Sequence, residues 1–129
     1  MNFKKFQIWF NEKIALPKNS ELLAEASYYD VDLEPSYYLR RNLRIDITKC
    51  EEFLTGETYE TRYAIEDYFV KMLEEKLKID LDTDKLGGSG FDENTLTLHS
   101  KYFSGIIRSN VFKEGIWDVD FAFFINEVN

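Results

Sequence analysis

Two stretches decide how the chain folds: YYLRRNLRIDIT at residues 37–48 and IWDVDFAFFI at residues 116–125. In the first, Tyr37, Leu39, Leu43, Ile45 and Ile47 fall on one side of a period of two, and Tyr38, Arg40, Asn42, Arg44, Asp46 and Thr48 fall on the other. Such alternation is that of a β-strand with one dry and one wet face. Arg41 interrupts the apolar side, which predicts either a bulge or a guanidinium that reaches past the sheet edge to a carboxylate. In the second stretch Trp117, Val119, Phe121, Phe123 and Ile125 alternate with Asp118 and Asp120 at first, and with Ala122 and Phe124 later. This pattern predicts a strand that enters the core partway along, where both sides become apolar.

Between these strands, residues 58–78 carry Ile65, Phe69, Met72, Leu73 and Leu77 along one side at helical spacing, with Glu60, Asp67, Lys71, Glu74 and Lys78 opposite. Asp67 with Lys71 and Glu74 with Lys78 are acid-before-base pairs four residues apart, each worth about 0.2–0.5 kcal/mol on a solvated helix face. Residues 80–94, rich in Gly and Asp, read as a loop, and residues 95–103 as a strand in which Leu96, Leu98 and Tyr102 alternate with Thr97, His99 and Lys101. Toward the N-terminus, Phe3, Phe6, Phe10 and Ile14 recur every three or four residues, which predicts an amphipathic helix that Pro17 stops. Asn19 or Ser20 is placed to cap a second, short helix carrying Leu22, Ala26 and Tyr29 on one face. Helices clustered early and strands late predict an α+β fold. Its N-terminal helices and one long central helix pack on an antiparallel sheet, in a single domain spanning residues 1–129.

A chain of 129 residues supports one core and not two, and its 44% hydrophobic content is enough to fill it. Acids outnumber bases 24 to 16, giving a formal net charge of −8, which disfavours direct binding to nucleic acid or anionic lipid. A single cysteine, Cys50, excludes an intrachain disulfide framework and a zinc site of several thiolates. The apolar start is broken by Gln7, Asn11, Glu12 and Lys13, unlike a secretory signal, and no apolar run reaches the ~20 residues needed to span a bilayer. A cytoplasmic protein without membrane contact is therefore expected.

Little in the chain points to catalysis. Nucleophilic mechanisms need a base, and His99 is the only histidine; a dyad with Cys50 would have to join residues 49 positions apart, with no oxyanion site nearby. Asp80, Asp82 and Asp84 begin like an EF-hand, but Lys85 and Phe91 stand where Gly and Glu are required. Gly87-Gly88-Ser89-Gly90-Phe91-Asp92 resembles one calcium-binding nonapeptide, yet such turns work only when stacked, and Asn94 takes the apolar position. Phosphate-binding and dinucleotide glycine motifs do not occur. The expectation is a protein that is not an enzyme and holds neither cofactor nor metal.

The distinctive feature is where acids and tyrosines fall. Residues 20–35 contain Glu21, Glu25, Asp30, Asp32 and Glu34 with no Lys or Arg, flanked by the pairs Tyr28-Tyr29 and Tyr37-Tyr38. A second acidic region, Glu114, Asp118, Asp120 and Glu127, closes the chain. Tyrosines supply rigid contact area with a polar tip, and neighbouring carboxylates attract a cationic partner and speed its association. Candidate partner-binding residues are thus Tyr28, Tyr29, Asp30, Asp32, Glu34, Tyr37, Asp118 and Asp120.

In this overall character, across the whole chain and without a diagnostic motif, the protein resembles the bacterial immunity proteins of contact-dependent growth inhibition and colicin systems. The resemblance implies binding to a cognate toxin, often a nuclease with a basic cleft, and occlusion of its active site or a neighbouring surface. Asp30, Asp32 and Glu34 would then stand in for phosphates while Tyr28, Tyr29 and Tyr37 act as desolvated anchors. Two other classes fit the same composition: a small ligand-binding domain or enzyme with Trp117, Phe121 and Phe123 around a pocket, or an oligomerising assembly protein with an exposed strand edge.

Overall fold

A computed structural model of the chain describes residues 3–30, 36–54, 56–78, 80–85, 95–100 and 103–126. Strands β2 (Ser36–Asp46) and β6 (Ile116–Asn126) lie antiparallel at the centre of the molecule, in unbroken register from Ser36 opposite Asn126 to Asp46 opposite Ile116. That register sets Leu39 beside Phe123, Leu43 beside Val119 and Ile45 beside Trp117, so the two apolar rows merge into one dry face. Around this pair a six-stranded antiparallel sheet is built in the order β1-β2-β6-β5-β4-β3, with β1 at Glu21–Asp30, β3 at Asp82–Lys85, β4 at Thr95–His99 and β5 at Phe103–Lys113.

Helix α1 (Phe3–Ile8), the π-helical turn Trp9–Lys13 that continues it, and helix α2 (Thr58–Leu77) supply the rest of the α+β fold. Their apolar sides meet the dry face of the sheet edge-on. Phe10 stands T-shaped on Phe121 and Phe123 with ring centres 5.2 and 5.3 Å apart, and Phe69 of α2 stands on Phe121 at 5.0 Å. Tyr68 donates its hydroxyl to the Ala15 carbonyl at 2.6 Å, joining α2 to the segment after the π turn. Gly105 is demanded by the same packing, because a Cβ there would run into the Ala122 carbonyl and stand 2.7 Å from the Phe123 ring.

Several expectations need correction. Residues 21–30 form β1 and not a second helix. Ser20 spends its backbone N–H and its hydroxyl on the Pro17 carbonyl, at 3.0 and 2.5 Å, and Asn19 takes φ of 69°, so both predicted caps build a turn instead. Residues 95–103 hold the whole of β4 and the first residue of β5, and the Gly/Asp loop contains β3; residues 86–94, Lys101 and Tyr102 lie outside the described residues. Strand β6 does not enter the core on both sides, since Phe124 is 46% exposed. Asp67 and Lys71 pair at 2.8 Å, but the Glu74 carboxylate accepts the Leu81 N–H at 3.0 Å while Lys78 ends the helix in the left-handed region at φ 56°. Of the two readings of Arg41, the carboxylate holds: its pairing is unbroken, and it reaches Glu25 on edge strand β1 at 2.5 Å.

Because Phe121 touches rings from both helical layers, replacing it should loosen both at once. Phe121→Ala is expected to lower unfolding free energy by about 3–5 kcal/mol, read from urea titration. A loss below ~1 kcal/mol would show that the helices are anchored elsewhere.

Candidate protein-binding surface

The dry side chains of the sheet all point toward the helices, which leaves the wet side chains on a second face. Among the described residues no helix covers that face, and its residues range from half-buried to exposed. The register across β1, β2, β6 and β5 aligns its rows: Tyr28, Arg40, Ala122 and Ile106 in one, Ala26, Asn42, Asp120 and Arg108 in the next, and Arg44, Asp118 and Asn110 beyond.

Aromatic rings gather at one end. Tyr28 of β1 stands edge-on to Tyr38 of β2 with centres 6.0 Å apart, and Tyr38 leans on Phe124 of β6 at 4.9 Å. Tyr28 is 56% exposed and Phe124 46%, so the cluster presents apolar surface to solvent across three strands. Beside it, a hollow of about 380 Å³ is lined by Ala26, Ser27, Tyr28, Arg40, Asn42 and Asp120; the short side chain of Ala26, opposite Asn42, leaves the space. Arg40 is exposed at its rim and forms no ion pair among the described residues.

Charges on this face are mixed. Arg44 donates from Nε and Nη2 to the two oxygens of Asp118 at 2.8 and 3.2 Å, and its guanidinium also lies 3.6 Å from the centre of the exposed Phe112 ring. The hydrogen bond to Asp118 holds the Arg44 pKa above its ordinary value. Asp120 accepts from Asn42 Nδ2 at 2.8 Å, and Arg108 donates to the Thr95 hydroxyl at 3.0 Å. At the end of β2, Asp46 Oδ1 accepts from the hydroxyl and the backbone N–H of Thr48 at 2.6 and 2.8 Å, which holds its carboxyl below the usual aspartate range.

The structure therefore brings Tyr28, Asp118 and Asp120 to one face and divides the other candidates. Tyr37 sits opposite Ile125, half-buried against the core, so Tyr38 and not Tyr37 belongs to the open surface. In the β1–β2 register Asp30 is opposite Tyr38, and Tyr29 is opposite the buried Leu39. Asp32 and Glu34 lie outside the described residues. Both acids placed on the face are already engaged by Arg44 and Asn42, so it is less acidic than the chain as a whole. Sequence reading missed Phe124 and Arg40. The parity of Arg40 was visible, but the neighbours that make it part of a surface depend on register.

Other chemistry finds little footing. Cys50 is buried, its thiol 3.2 Å from the Lys18 carbonyl, and burial pushes its pKa up, away from the thiolate. His99 is exposed and has Asp82 and Ser104 as cross-strand neighbours, but no hydrogen bond among the described residues joins the three. No group of three or more potential metal ligands occurs among the described residues, and none of their helices is long and apolar enough to cross a membrane. Compared with protein-family models, curated proteins and solved structures, the chain matches none.

The Asp46 turn makes a pH-dependent prediction. A carboxyl whose pKa is lowered by folding stabilises the native state above the unfolded value of about 3.9, and loses that contribution as pH falls through its lowered native value. Asp46→Asn should be less stable than the parent at neutral pH, with the gap narrowing below about pH 4 when urea midpoints are followed against pH. A gap that stays constant down to pH 2 would show that the charge on Asp46 contributes nothing.

Proposed function

We propose that the protein is a protein-binding inhibitor of the immunity type, which holds a basic toxin domain against the open face of its sheet and blocks it by steric exclusion. The observation that carries this reading is the contiguous aromatic cluster across three strands, with Tyr28 and Phe124 exposed on either side of the half-buried Tyr38, where a monomer would have little reason to leave it. Aromatic residues over a rigid sheet lose little side-chain entropy on docking, and the hollow at Ala26 beside them can receive a partner side chain.

Division of labour between anchor and charge follows from the geometry. The net charge of −8 draws a basic partner from a distance. On the face itself Asp118 is neutralised by Arg44, so close contact is dominated by apolar area and by polar groups such as Arg40 and Asp120 at the hollow. Association rate should then fall with salt more steeply than the lifetime of the complex.

The test is capture of partners from the native cell at low and high salt, with calorimetry and inhibition assays on any basic partner bound one to one. Replacing Tyr38 and Phe124 together by alanine should weaken affinity by at least about 2 kcal/mol, since central aromatic anchors carry most of such an interface. A stoichiometric partner whose affinity is untouched by that double change, or one bound without loss of its activity, would remove this reading.

A further inference from the structure

The two edges of the sheet are built differently. At one edge β3 has four residues, Asp82–Lys85, and its sequence DTDK is charged or polar throughout, which is how natural sheets discourage further pairing. At the other edge β1 has ten residues, pairs only with β2 among the described residues, and contains neither Lys, Arg nor Pro. All eight side chains from Glu21 to Tyr28 are exposed. Its middle, Ala24-Glu25-Ala26-Ser27, holds small residues at three of four positions, so a neighbouring strand meets little steric resistance. Leu22 and Leu23, 37% and 44% exposed, offer apolar contacts at one end and Tyr28 offers them at the other. Two features temper this edge, a register shift between Leu22 and Ala24 and the acidic side chains of the strand, which repel an acidic or identical neighbour and not a basic one.

We propose that the free edge of β1 accepts an extended, basic segment of a partner protein as a seventh strand. This deepens the reading above, on which it rests for the partner's character. Alternate residues of an edge strand turn their N–H and C=O groups outward, so main-chain hydrogen bonds hold the incoming segment while side chains select it. Selection comes from charge: β1 carries Glu21 and Asp30, besides Glu25 that Arg41 engages, and no base. Lys or Arg on the added strand complements them. A second copy of the chain does not, because antiparallel self-pairing over the full strand sets Glu21 against Asp30 at both ends and supplies no base to either. The added strand would also lie beside Tyr28, extending the aromatic face by one strand.

The probe is a capped ten-residue peptide alternating Lys with Val, compared with a Glu–Val peptide and with a Lys peptide of equal charge in which alternate Val are replaced by Pro. Amide hydrogen exchange on the full chain, followed residue by residue, reads the contact. The Lys–Val peptide is expected to slow exchange at alternate β1 amides by tenfold or more, while the Glu–Val and proline peptides leave them unchanged. Glu21→Lys and Leu23→Lys, each at an exposed position, should cut that protection at least fivefold with the fold intact by circular dichroism. Equal protection by the proline peptide would reduce the effect to charge attraction, and no protection at β1 would overturn the proposal, as would sedimentation showing a dimer whose β1 amides are protected without peptide. Because this readout does not involve Tyr38 or Phe124, the edge can fail while those rings still govern capture of the partner, and the reverse.

Discussion

One buried cation ties the architecture together. Arg41 lies in the apolar row of β2 and is only 5% exposed, a placement that costs several kcal/mol unless its charge is paired and its donors are used. Both conditions are met from different elements. Its guanidinium donates to the Phe10 carbonyl of the π turn and to the Glu25 carboxylate of β1, and it sits 5.6 Å from the centre of the Phe10 ring. A single side chain thus fixes where the N-terminal helical segment lies over the sheet and which residue of β1 faces the core side of β2. Neither partner can slip by one position without stranding the charge.

With the helices held on one side, the parity of every strand residue is decided, and the pairs of like residues split. Tyr37 goes to the core side and Tyr38 to the open side; Phe123 is buried and Phe124 exposed. Two polar residues of β2 are set across from the aspartates of β6, so Arg44 meets Asp118 and Asn42 meets Asp120. The acidic excess is accordingly borne elsewhere: on the exposed edge strand, on the short 3-10 turn Glu51–Phe53, and on the outer side of α2. Net negative charge and exposed aromatic area thus fall to different parts of the surface.

How legible this was depended on whether the local pattern and the tertiary outcome agreed. β2, β6 and α2 were readable because each buries one side of a regular period, Phe69 and Leu73 at helical spacing and Leu43 and Ile45 in alternation. β1 reads as a helix because Asn19 or Ser20 can cap one and Leu22, Ala26 and Tyr29 fall at helical spacing; the cap side chain is spent on the Pro17 turn, and pairing with β2 and the Arg41 contact outweigh a local preference worth only tenths of a kcal/mol per residue. β5 escaped because its inward row includes Gly105 and the fully buried Ser109, which interrupt the apolar alternation, although Gly115 at φ 77° marks the tight Glu114–Gly115 turn into β6. At the surface, the outward parity of Tyr38 was visible in sequence, but its contacts with Tyr28 and Phe124 needed two registers that no single chain pattern specifies.

The conflict in β1 between local preference and final state has a physical consequence of its own. A strand whose side chains from Glu21 to Tyr28 are exposed gains little from burial there and is held by one row of main-chain bonds and by the pair between Glu25 and Arg41. Glu25 is half-exposed, so water screens that pair and its net worth is modest. Opening of β1 therefore costs much less than global unfolding, whereas β2, β5 and β6 share the aromatic core and open together. Elements that break agreement between sequence and structure concentrate where a protein meets something else, because stability there has been traded for access. In this chain the edge strand with the fewest buried side chains and one rim of the aromatic cluster coincide at Tyr28.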